Sequence, residues 1–115
     1  SDRNSFLLIA ALEQNFGRSD APEYELFFTL TIWESSVAVS ETRVLSRLDL
    51  IGEANYRLVD LSTGAGVSDQ TVRGFTGYST TASTIATRTA REDAEKRLME
   101  TLADRMQLRI LADLA

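Results

Sequence analysis

The hydrophobic positions of this chain keep two different periods in turn, and the changes of period divide it into helices and strands. From Ala82 to Leu114 a buried-type residue recurs every fourth position (Ala82, Ala86, Ala90, Ala94, Leu98, Leu102, Met106, Ile110, Leu114), and Ile85, Met99, Ala103 and Leu111 widen the stripe. On a helix of 3.6 residues per turn that spacing drifts slowly and keeps one broad apolar face, so it predicts a single long packing helix. Its first half offers only alanine, which lets another backbone approach, and its second half offers long side chains that call for a sheet face. Thr80, Thr81 and Ser83 are candidate N-caps.

Residues 2–16 predict a first helix, with Asp2 or Asn4 as N-cap, Phe6, Leu8, Ile9, Leu12 and Phe16 near one side, and Gly17 at the stop. Its run from Phe6 to Leu12 is wholly apolar and expects neighbours on more than one side. Gly17 to Pro22 reads as a linker, since it holds glycine, aspartate and the only proline.

From Glu23 the period becomes two. Tyr24, Leu26, Phe28, Leu30 and Ile32 alternate with Glu23, Glu25, Thr29, Thr31 and Trp33, the pattern of a half-buried strand with its even residues inward. Glu34 to Ser40 breaks that parity and predicts a bend into a hairpin. A second strand is expected over Thr42–Leu61, with Val44, Leu48, Leu50, Ala54, Tyr56 and Leu58 on one face, and Gly52 marks a bulge or a close approach. After the Ser62–Gly66 turn, Val67–Tyr78 makes a weaker third strand. The order helix, three antiparallel strands, helix predicts an α+β two-layer sandwich, with two helices packed on one face of an antiparallel meander and residues 1–115 forming one domain.

Charge and composition narrow the function. Twelve basic against seventeen acidic residues leave no basic stripe for nucleic acid, and residues 79–115 carry six cations and six anions, so the whole net charge of −5 belongs to residues 1–78. Helical pairs four apart, Arg88 with Glu92, Arg91 with Glu95, Glu92 with Lys96, Asp93 with Arg97 and Lys96 with Glu100, account for the balanced part. The chain has no histidine and no cysteine, which removes the commonest general base, the thiolate nucleophile and most transition-metal ligation. No enzyme activity and no cofactor are expected. No apolar run is long enough to span a bilayer, and the polar start lacks an export signal.

One constellation carries possible binding chemistry. Arg43, Arg47 and Arg57 share outward parity on the second strand, and Arg73 joins them from the third if the register allows, making a basic row that could hold phosphates or sugar acids by bidentate contacts. Asp49, Glu53 and Glu25 could equally neutralise that row across strands. Phe27, Trp33, Ile51, Val59 and Phe75 also have outward parity, and a sheet apolar on both faces expects a partner on its second face.

The order of elements, with Arg47-Leu48-Asp49-Leu50-Ile51-Gly52, Tyr56-Arg57-Leu58-Val59-Asp60, Gly77-Tyr78-Ser79 and the alanine-rich Ala86–Leu98 segment, resembles the lipopolysaccharide-assembly lipoprotein family, LptE, in its alphaproteobacterial branch. The likeness runs over nearly the whole chain and rests on the ordered set of short, degenerate motifs. It implies a lipoprotein anchored on the periplasmic side of the outer membrane, plugging the LptD-type β-barrel and helping to insert lipopolysaccharide into the outer leaflet. It also implies a four-stranded sheet whose first strand, with the lipid-bearing cysteine ahead of it, precedes the first helix. Neither stands within these 115 residues, so a sheet edge is expected to lie open and to pair with another copy in a crystal. The resemblance carries a ligand-facing role to Arg47 and Arg57 only, while Arg43 and Arg73 follow from parity. The alternative reading is a periplasmic adaptor or small-amphiphile-binding domain with no barrel partner, which would need a cavity lined by Leu, Phe and Tyr.

Overall fold

The computed structural model describes residues 2–17, 23–39, 46–80 and 83–115. The elements run α1 (Asp2–Phe16), β1 (Tyr24–Val39), β2 (Ser46–Asp60), β3 (Gly66–Ser79) and α2 (Thr84–Leu114). The strands form an antiparallel sheet in the order β1-β2-β3, and both helices lie on one face of it, the α+β architecture that the alternation predicts. Sixteen strand residues at ~3.4 Å each and thirty-one helical residues at ~1.5 Å each make long rods, so the molecule measures 59 × 23 × 20 Å.

The even residues of the sheet face the helices. Leu50, Ala54, Tyr56 and Leu58 of β2 and Val72 and Tyr78 of β3 are buried against Ala94, Leu98, Met99, Leu102, Ala103, Met106 and Ile110 of α2, while α1 adds Leu8 and Leu12. Leu26, Phe28, Leu30 and Ile32 of β1 are only partly buried, because α2 lies over β2 and β3 and α1 packs on α2. Two glycines set how closely α2 approaches. A Cβ on Gly52 would stand 3.0 Å from Leu98 Cδ2 and 3.1 Å from Leu102 Cδ1, and one on Gly74 would stand 3.0 Å from Thr101 Cγ2. Gly52 is thus the close approach that its place in a strand suggested, and it lies in regular pairing with Ile32 and Gly74.

Several local expectations are corrected. Glu34 does not begin a bend: β1 continues to Val39, and the break in parity is a register shift between Ser36 and Ala38 while pairing with β2 is kept. A bulge absorbs the extra residue without ending the ladder. Asn4 is no cap; it lies inside α1, buried, and its Nδ2 donates to Glu95 Oε2 of α2 at 2.7 Å. Ser83 is the N-cap of α2, accepting from the Ala86 N–H at 3.2 Å, and the helix starts at Thr84. Ile85 is 80 % exposed and Leu111 is exposed, so the buried face of α2 runs from Ala94 to Ile110. At the other end of α1, Gly17 adopts φ +79° and its N–H bonds Glu13 O at 2.6 Å, the left-handed stop that favours glycine. The linker from Arg18 to Pro22, Thr81, Ala82 and the hairpin between β1 and β2 fall outside the described residues.

Among the described residues two of the expected helical ion pairs form, Arg97 with Asp93 at 2.9 Å and Arg91 with Glu95 at 3.9 Å. The same charges also tie elements together: Arg3 of α1 reaches Glu92 and Glu95, and Arg91 pairs with Glu34 of β1.

Candidate functional site

Pairing decides which outward residues become neighbours. Phe27 lies opposite Arg57, Arg57 opposite Asp69, Glu53 opposite Arg73, and Arg47 opposite Ser79. The expected arginine row is therefore divided. Arg47 and Arg57 are ten residues apart on β2, about 33 Å along a strand, and Arg73 faces an acid between them. Arg73 Nη2 lies 2.7 Å from Glu53 Oε2, its Nε donates to the same oxygen at 3.2 Å, and its guanidinium stacks 5.4 Å from the Trp33 ring centroid. Arg47 extends over Gly77 beside Asp49, where a Cβ would meet Arg47 Nη2 at 2.5 Å and Asp49 Oδ1 at 3.4 Å. Arg57 lies across Gly66. Arg43 falls outside the described residues.

The apolar residues behave differently: Trp33, Ile51 and Phe75 fall on one cross-strand line, one from each strand. Phe75 is 64 % and Trp33 37 % exposed, on the face turned away from the helices. Phe27 is 53 % exposed but lies six residues from Trp33 along β1, beside Arg57, and Val59 is half-buried farther along β2. An apolar band with an arginine at its margin therefore crosses the three strands on this face.

Sequence reasoning missed the arginines that α2 adds. Arg105 donates to the Arg73 carbonyl and Arg97 Nη2 to the Gly77 carbonyl at 3.1 Å, so both reach the outer edge of β3 from two turns apart on the helix. A surface cleft of about 400 Å³ is lined by Trp33, Asp49, Ile51, Arg73, Gly74, Phe75 and Arg105. A second, of about 480 Å³, lies along the same edge between Thr71, Arg73, Arg105, Leu108 and Arg109. Arg73 and Arg105 line both clefts. Three guanidinium groups around one cleft can take two or more anionic oxygens by forked hydrogen bonds. The signal available in the sequence was Arg97, Arg105 and Arg109 recurring at helical spacing, but only the position of α2 over β3 sets them beside Arg73.

Polar ties brace the opposite, helix-covered face. Ser68 donates to Asp113 Oδ2 at 2.7 Å, which uses its only hydroxyl proton, so Tyr56 must donate to Ser68 Oγ across their 2.8 Å contact. Burial raises the Tyr56 pKa. Bonds from Ser68 and Gln70 lower that of Asp113. Tyr78 donates to Glu34 Oε1 at 2.7 Å, and burial, with the charge of Glu95, raises its pKa. Thr76 donates to Ala94 O at 2.8 Å, fastening β3 to the middle of α2.

No family model matches this sequence, and no curated protein does. Solved structures do resemble the fold. A candidate lipoprotein of Caulobacter crescentus CB15 superposes with a TM-score of 0.80 at 22 % identity, covering 97 % of this chain and 83 % of that one. A minor lipoprotein of Acinetobacter baumannii gives a TM-score of 0.63 at 16 % identity, covering 97 % of this chain and 85 % of its own. At these identities the likeness is one of fold. Among the described residues no helix is long and apolar enough to cross a membrane.

Proposed function

We propose that this chain is an LptE-like, non-catalytic component of outer-membrane lipopolysaccharide assembly. In this reading it is lipid-anchored on the periplasmic side, docks inside an LptD-type β-barrel through its outer sheet face, and holds the anionic glycolipid at the β3 edge. The observation that carries the reading is the Trp33–Ile51–Phe75 band with Arg73 and Arg105 at its margin. Barrel walls offer a large surface on which such a band can be covered, and the phosphates of a lipopolysaccharide suit guanidinium forks. The fold shared with two bacterial lipoproteins supports the anchored location. The rival reading, an amphiphile carrier, asks for an internal cavity. Leu98 and Leu102 instead press onto the glycine floor of the sheet, and the clefts just described lie on the surface.

The test is affinity purification of the anchored, full-length protein from outer membranes. A large heat-modifiable barrel is expected to accompany it and to be lost from the variant carrying Trp33→Asp and Phe75→Asp. Arg73→Glu with Arg105→Glu is expected to reduce bound lipopolysaccharide more than Arg47→Glu with Arg57→Glu, because only the first pair shares a cleft. Recovery of small soluble proteins alone would remove the barrel assignment.

A further inference from the structure

Arg73 lies where two surfaces meet, and a contact within its own chain decides which of them it serves. Its guanidinium rests over the sheet, 5.4 Å from the Trp33 ring centroid, and its Nε and Nη2 both donate to one oxygen of Glu53, at 3.2 and 2.7 Å. Glu53 is the residue directly opposite on β2. Past the edge of β3 the same side chain lines the cleft that Arg105 and Arg109 complete. Arg105 is tied there by its bond to the Arg73 carbonyl, whereas the Arg73 side chain is 65 % exposed and has room to change rotamer. Over Trp33 its charge is met by Glu53; turned to the edge, it joins those of Arg105 and Arg109.

We propose that Glu53 determines the specificity of this cleft. As a built-in carboxylate it holds Arg73 against ligands of its own kind, and a phosphomonoester dianion bridging Arg105 and Arg109 draws Arg73 off Glu53 and off the Trp33 ring; only the source of that phosphate rests on the lipopolysaccharide reading. Glu53 is attached beside Arg73, so its effective concentration is roughly millimolar or higher, and a carboxylate from solution must displace an identical group without any gain in charge. A phosphomonoester carries about −1.5 to −2 charges at pH 7 and three strong acceptor oxygens, one for each guanidinium fork. An ion pair as exposed as that of Arg73 with Glu53 is weakly held against such a competitor. Sugar acids, which the parity of the arginines alone would admit, are disfavoured by the same contact. Turning Arg73 to the edge also bares the Trp33 ring within the apolar band. Coupling of this kind is reciprocal, so whatever covers the bared ring tightens the hold on the phosphate, and docking of the outer face and filling of the cleft support each other.

Emission of Trp33, the single tryptophan, reports the position of Arg73. The 115-residue chain is titrated at constant ionic strength with inorganic phosphate, with glucuronate and with dihexanoyl phosphatidic acid below its micelle concentration. Both phosphates are expected to give a saturating red shift that Arg105→Ala abolishes, and glucuronate none. Glu53→Gln is expected to tighten phosphate binding about tenfold and to admit glucuronate, whereas the same change of charge in Glu25→Gln, six residues away from the Glu53 position along the sheet, alters phosphate affinity less than twofold. The lipid phosphate is expected to saturate at a concentration at least tenfold lower than inorganic phosphate, since Leu108 in the cleft is 70 % exposed and can meet its chain. Equal concentrations would overturn the lipid source, and with it the lipopolysaccharide reading of this cleft. A wild-type chain that does not respond to phosphate, or a Glu53→Gln chain that still excludes glucuronate, overturns the role of Glu53.

Discussion

Leu98→Ala and Gly52→Ala, made singly and together, test the claim that glycine in the sheet is what lets α2 settle on it. Leu98 is fully buried, and beneath it lies backbone that no side chain can fill. Truncation should therefore cost about 3 to 5 kcal/mol, the upper part of the range for buried leucines, because the site has little with which to collapse. Gly52→Ala brings a methyl to 3.0 Å from Leu98 Cδ2 and 3.1 Å from Leu102 Cδ1. That crowding costs about 1 to 3 kcal/mol, offset by about 0.4 to 1 kcal/mol from the less flexible unfolded chain, for a net loss of roughly 1 kcal/mol. With Leu98 shortened the same methyl enters the void, and the substitution should become stabilising by about 1 kcal/mol. The two changes are therefore coupled by about 2 kcal/mol. Urea unfolding, followed by circular dichroism and by fluorescence of Trp33, the single tryptophan, gives the four free energies. Additivity within about 0.5 kcal/mol would refute the packing argument.

Thr76→Val keeps the side-chain shape and removes the bond to Ala94 O; it should lower stability by about 1 kcal/mol in the same assay, and an unchanged midpoint would show that the tie is not used. The Asp113 carboxyl titrates below its ordinary value in the fold, so its stabilising effect is complete above the unfolded pKa and is lost as pH falls through the folded one. Ser68→Ala should raise the Asp113 pKa followed by NMR and weaken this acid dependence, and a titration curve that does not move would contradict the assignment. Tyr56 is shifted the other way: its contribution is complete below the unfolded tyrosine pKa of about 10 and is lost as pH rises through the higher folded value. Phenolate absorbance should accordingly show it ionising above the ordinary tyrosine range.

The two periods in the sequence determined the element types, the inward parity of Tyr24 to Ile32 and of Leu48 to Leu58, and the packing face of α2 through Ala94, Leu98, Leu102 and Met106. Each of these follows from residues close together in the chain, where side-chain direction repeats by local geometry. Tertiary structure decided the rest. Strand register, a relation between distant segments, put Arg73 against Glu53 instead of beside Arg47 or Arg57, and drew Trp33, Ile51 and Phe75 into one band. The seating of α2 over β3 brought Arg105 to Arg73 and left β1 half covered. Parity says only which face a residue takes; which neighbours it meets there depends on pairing and on where a helix docks, and no local repeat encodes either.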